Sequence, residues 1–156
     1  MYCESQITHI YPGDVEHIEP KIHFEQRRLD YDNLGISCWS CNHEKLDEFS
    51  ATTPLIDPYN DDPAGHFIFI GQFIRQRPGS ARGRYTIELL KLNDRGLPER
   101  RLRVIDGIAY ALERYESAIN PVLKRAFEHE IEIFIGRCAE YSAFARAYAR
   151  ACGYNP

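Results

Sequence analysis

Glu16-His17 sets a carboxylate beside an imidazole, and Asn33 follows within Tyr31-Asp32-Asn33-Leu34. The stretch Cys38-Trp39-Ser40-Cys41-Asn42-His43-Glu44-Lys45 then gathers two thiols, an amide, an imidazole and an amine. An acid–histidine pair can move a proton or offer an oxygen ligand, and a C-x-x-C offers two thiolates at zinc-knuckle spacing. Each signal is weak alone, because acid–histidine pairs are common and C-x-x-C has several meanings. A His, then an Asn, then C-x-x-C-N-x-x-K in this order is a much rarer set. Cys3 is a further thiol upstream, whereas His9, His23, His66 and His129 have no comparable setting.

These groups need elements to position them. Gln6 to Tyr11 and Val15 to Ile18 flank Pro12-Gly13-Asp14 and read as two short strands joined by a turn, which puts His17 late on a hairpin. The C-x-x-C stretch has few helix breakers and reads as a turn opening a short helix. His66 to Gly71 is a short apolar run of strand character. From Arg84 onward the period is helical, with Leu102, Ile105, Ala109, Leu112 and Tyr115 on one face. Asn120-Pro121 announces a second helix, whose stripe runs through Leu123, Phe127, Ile131, Phe134, Cys138, Tyr141, Ala145 and Tyr148 to a stop at Gly153. On that reading Cys138 and Cys152 are inert small hydrophobes. Asp57, Asp61 and Asp62 lack the spacing of a calcium loop and read as a turn-rich connection.

The 156 residues, 44% hydrophobic and 27% charged, suit one soluble domain. No run is long and apolar enough to span a membrane, and the opening Met1-Tyr2-Cys3-Glu4 is unlike a secretory signal, so a cytoplasmic protein is expected. In that compartment clustered cysteines favour metal ligation over disulfides. The net charge of −4 conceals an uneven distribution. Residues 1–65 carry four Lys/Arg against thirteen Asp/Glu, whereas the remainder carries fifteen against ten. The acidic part suits cation binding and the basic part phosphates or an acidic partner, although solvated faces account equally well for any single charge.

The ordered residues resemble the HNH nuclease family, whose metal site is a ββα or His-Me finger. Within it the sequence is similar to the HNH proteins encoded beside retrons and Septu-type anti-phage ATPases, the PtuB-like group. That similarity continues through Ile56-Asp57-Pro58-Tyr59, Asp62-Pro63, His66-Phe67, Gly71, Thr86 to Asn93 and Arg100-Arg101. It implies His17 as general base, Glu16 and Asn42 as ligands of one catalytic magnesium or manganese ion, and Asn33 as the residue that orients the His-bearing loop. Lys45 would support a phosphate, though by itself it reads as a solvated helix lysine, and Asn33 by itself as a turn residue. His43 is an alternative ligand to Asn42 or a contributor to the zinc.

Many members of the family hold a structural zinc with two C-x-x-C knuckles. Here Cys38 and Cys41 supply one, and Cys3 matches the second cysteine of the other, whose first would fall one place before Met1. The expectation is a zinc site of Cys3, Cys38 and Cys41, completed by another residue, by water, or not at all; three ordinary buried cysteines are the alternative.

The resulting expectation is an α+β fold: a ββα-metal core over residues 1–50, then a partly β-structured extension and C-terminal helices over 51–156, packed as one compact domain. The implied function is metal-dependent hydrolysis of DNA phosphodiester bonds, on duplex DNA with modest sequence preference and with RNA as an alternative substrate. It would serve anti-phage defence with an ATPase partner, with or without a retron. The competing readings are a catalytically inactive zinc-stabilised module that binds nucleic acid or scaffolds the ATPase, and a metal-dependent enzyme acting on other phosphoesters.

Overall fold

The computed structural model describes residues 2–7 and 11–155. It is a mixed α/β structure that clusters into two units: residues 1–68 with 74–95, and residues 69–73 with 96–156.

In the first unit β1 (Asp14–His17) pairs antiparallel with β2 (Leu34–Ser37), in the register Asp14↔Ser37, Val15↔Ile36, Glu16↔Gly35 and His17↔Leu34. Helix α1 (Trp39–Lys45) follows β2 directly, so strand, loop, strand and helix form the expected ββα order. The strand partner differs from expectation. Gln6, Ile7 and Tyr11 carry no strand, and Thr8, His9 and Ile10 lie outside the described residues. Gly13 explains the geometry: its φ is +95°, and a Cβ there would come within 2.8 Å of side-chain atoms of Ile36 and Ile7. A residue with a side chain would be strained there, so Gly13 lets the chain enter β1 close against Ile36 and Ile7. Between the strands, single 3-10 turns at Glu25–Arg27 and Tyr31–Asn33 carry the connection.

Strands β3 (Phe67–Ile70) and β4 (Phe73–Gln76) form a second two-stranded sheet. Helix α2 (Ala81–Leu89) is capped by Ser80, whose hydroxyl accepts from the Gly83 N–H at 3.0 Å. The Thr86 hydroxyl lies 3.0 Å from the Ile56 N–H and takes its hydrogen bond, which fastens the intervening loop to α2.

The second unit holds α3 (Leu97–Ser117), α4 (Pro121–Ile135) and α5 (Ser142–Ala151) around Ile108, Ala111, Leu112, Ile131, Ala145 and Ala149. Gly107 permits close approach here, since a Cβ would meet the Phe134 ring at 2.8 Å. The buried face of α3 includes Arg101 and Ile108, while Leu102 is exposed, because the Arg101 guanidinium lies 4.6 Å over the Phe144 ring centroid. Asn120 caps α4 as its position suggests, accepting from the Val122 N–H at 2.8 Å. The expected single C-terminal helix is broken: α4 ends before Gly136, whose ψ of 146° is extended, and α5 starts after Tyr141 with φ +51°. Cys138 falls in that break and Cys152 ends α5, so both are exposed and neither is the buried apolar residue expected. Among the described residues no helix is long and apolar enough to cross a membrane.

Candidate active site

Period-two alternation along β1 sends consecutive side chains to opposite faces. Glu16 is buried, and its Oε1 lies 2.6 Å from Lys45 Nζ. The same ammonium donates to the His17 carbonyl oxygen at 2.8 Å. Burial pushes the Glu16 carboxyl up from its usual range, outweighing the pull of the Lys45 ammonium in the other direction. Lys45 is itself only 1% exposed, neither the solvated lysine of its isolated reading nor, in this geometry, a group free to meet a phosphate.

His17, the last residue of β1, lines the same cleft as Glu16, and its Nε2 lies 3.0 Å from the Arg28 carbonyl oxygen. A carbonyl only accepts, so Nε2–H donates in this bond, and Nδ1 is the ring nitrogen left to take a proton. The tautomer is thus assigned by the hydrogen-bond partner.

Asn33, 1% exposed, fastens the loop that follows His17. Its Oδ1 accepts from the Glu19 N–H at 2.7 Å, and its Nδ2 donates to the carbonyls of Glu19 at 3.0 Å and Arg27 at 3.2 Å. The Asn33 carbonyl also accepts from the Ile18 N–H at 3.0 Å. Arg27 is one residue from the carbonyl that holds His17, so one buried amide ties together both flanks of the imidazole.

Asn42, in the middle of α1, donates from Nδ2 to Asp14 Oδ2 at 3.1 Å, so its other amide atom, Oδ1, is the one that could face an ion. Asp14 also takes a hydrogen bond from the Tyr11 hydroxyl, and this bond holds the phenol pKa up at about 12. Glu16, His17, Trp39, Asn42, His43 and Asp47 help to line one cleft of about 310 Å3. His43 stacks against Trp39, with ring centroids 5.0 Å apart and planes at 6°.

The thiols converge as well. The sulfurs of Cys3, Cys38 and Cys41 all lie within 4.8 Å of one another, and among the described residues they are the one group of three or more His, Cys, Asp and Glu side chains able to share an ion. Cys38 caps α1, its sulfur accepting from the Cys41 N–H at 3.4 Å, and lies 3.7 Å from the Cys3 sulfur. S–H donation from Cys38 and Cys41 pushes the Cys3 thiol far down, to about 2, while Cys41 is pushed up. Arg95 Nη2 donates to the Cys41 sulfur at 3.6 Å and to the Leu90 carbonyl at 2.6 Å. The fold thus gathers three sulfurs and sets one cation, Arg95, against Cys41. Three sulfur donors are zinc chemistry. The cleft, in contrast, offers a carboxylate and an amide oxygen, the donor set of a hard divalent ion that keeps several waters.

The sequence alone assigns no role to Asp14, Trp39 or Arg95. Asp14 had a usable signal, because it shares the Glu16 face of β1 two residues earlier. Arg95 had none, lying 54 residues from Cys41 along the chain.

Residues 1–48 match the family model for HNH endonucleases. With β1, the Asn33 loop, β2 and α1 in that order, this segment carries a ββα arrangement consistent with that match. The chain is similar to the Septu protein PtuB of Bacillus thuringiensis, 29% identical over 94 residues that cover 60% of this chain and 36% of that protein. The match thus spans little more than a third of that relative's length. No solved structure matches the chain.

Proposed function

We propose that this chain is a metal-dependent HNH endonuclease that hydrolyses DNA phosphodiester bonds, with its nuclease core within residues 1–50, and that it acts in anti-phage defence with an ATPase. The observation that carries the reading is the cleft where His17, its Nε2 tied to a backbone carbonyl, faces solvent beside Asn42 and Glu16. The HNH match over residues 1–48 and the similarity to the Septu protein PtuB support the class and the setting.

His17 Nδ1 takes a proton from the attacking water as the water oxygen bonds to phosphorus. The Arg28 carbonyl, already bonded to Nε2–H, then stabilises the imidazolium that forms. The bond from phosphorus to the leaving oxygen breaks, giving a phosphate monoester and an alkoxide that takes its proton from solvent water. Glu16 and Asn42 Oδ1 would hold magnesium or manganese, with Asp14 fixing the Asn42 amide. When bound, that ion supplies electrostatic stabilisation to the phosphorane and the leaving oxygen. Cys3, Cys38 and Cys41 would hold zinc and so fasten the N-terminus to the start of α1.

One observation favours a second reading. Glu16 is engaged with buried Lys45, which suits a domain that keeps the fold and binds nucleic acid without cutting it. The two readings separate in one comparison, wild type against His17→Ala, each with plasmid, magnesium or manganese, and with or without the ATPase. Cutting by the wild type alone supports the nuclease. Equal binding by both with no cutting under any condition supports the binding module.

A further inference from the structure

Trp39 is the single tryptophan of the chain, yet its side chain is left 61% exposed. It opens α1, and the i,i+4 spacing brings His43 against one of its faces in a parallel stack. Both rings line the cleft that holds His17. An indole fixed from one side beside a proposed base is a flat apolar surface with its other face toward solvent.

Its surroundings continue that character. Val15, 69% exposed, lines both the cleft and a second hollow of about 430 Å3 that includes Tyr31, Ile36 and Tyr59. The Tyr59 hydroxyl accepts from the Ile36 N–H at 2.8 Å, so this ring is fixed as well. Cations are sparse: Lys21 is the one Lys or Arg lining the cleft, against Glu16 and Asp47, and the second hollow has none. A duplex presents phosphates outward and keeps its bases stacked on both faces, so such a surface has little to grip on it. An unpaired strand offers free base faces, which stack on aromatic rings without regard to sequence.

We propose that Trp39, braced by His43, is a stacking platform for an unpaired nucleobase of the substrate strand, so that the cleft takes single-stranded or locally unpaired DNA in preference to duplex. This rests on the nuclease reading of the cleft and adds its substrate class. It departs from the duplex preference expected of the sequence.

The test uses the full chain carrying His17→Ala, without added divalent ion, titrated with oligo(dT) and with a blunt duplex of equal length. Because Trp39 is the sole tryptophan, its emission reports stacking directly. Oligo(dT) quenches it saturably, and the duplex binds at least roughly tenfold more weakly. In anisotropy with labelled oligo(dT), Trp39→Ala loses roughly tenfold to a hundredfold in affinity, whereas Trp39→Phe stays within about threefold. Equal quenching by oligo(rU) supports the base as the recognised group. Unchanged emission at every oligo(dT) concentration, parental affinity in Trp39→Ala, or duplex binding as tight as oligo(dT) would overturn the proposal. Quenching by oligo(dT) with no cutting by the wild type would sink the nuclease reading alone. Cutting of duplex with no Trp39 response would sink the platform alone.

Discussion

Lys45 Nζ sits 2.6 Å from Glu16 Oε1 with both side chains buried, joining the last turn of α1 to β1. A buried pair of this kind adds little net stability over an apolar pair of the same shape, but removing one partner strands a charge. Lys45→Met should therefore cost about 3–5 kcal/mol in urea unfolding. Adding Glu16→Leu should recover most of that loss. A loss below about 1 kcal/mol for Lys45→Met, the range of exposed pairs, would contradict the buried pairing.

Asn33 makes three side-chain hydrogen bonds to the main chain of Glu19 and Arg27. Asn33→Ala leaves those groups without their partner, at a cost of about 1–3 kcal/mol, and loosens the loop that aims His17. Single-turnover cleavage should slow while affinity for nucleic acid stays the same. Loss of binding with an unchanged rate would place Asn33 in substrate contact instead.

Much of this arrangement was legible because the chemistry-bearing residues cluster in order and the ββα elements between them are short. The partner of β1 was not, since Pro12-Gly13 mimics a local hairpin turn while the real pairing spans the Asn33 loop. Buried Lys45 and Arg101 were also hidden, because pattern reading counts every charge as solvent-facing. The break at Gly136 was missed for the opposite reason: the apolar spacing continues across it although the backbone does not.

The thiol cluster should carry stoichiometric zinc in metal analysis, lost in Cys41→Ser. Chelation should lower the melting temperature by roughly 10 °C, the effect of about 4 kcal/mol of binding energy at saturating metal. Because Arg95 donates to the Cys41 sulfur, Arg95→Gln should let a thiol reagent release zinc about tenfold faster, matching a charge-assisted bond of about 1.5 kcal/mol. Protein free of zinc with all three thiols reduced would contradict the site.

The Asp14 carboxylate holds the Asn42 amide. Asp14→Ala should raise the magnesium or manganese concentration for half-maximal cleavage roughly tenfold while changing the saturated rate little, the pattern of a residue that orients a ligand. A fall in the saturated rate with no shift in metal dependence would put Asp14 in the chemical step.

His17 is proposed as the base of a phosphodiester hydrolase. Single-turnover cleavage of DNA with saturating manganese, comparing wild type with His17→Ala at matched zinc content and with the proposed ATPase partner added, tests it. The wild type should cut and the variant should lose at least roughly a hundredfold in rate, the lower end of what a general base supplies. Equal cutting by the two proteins would remove His17 from the chemistry.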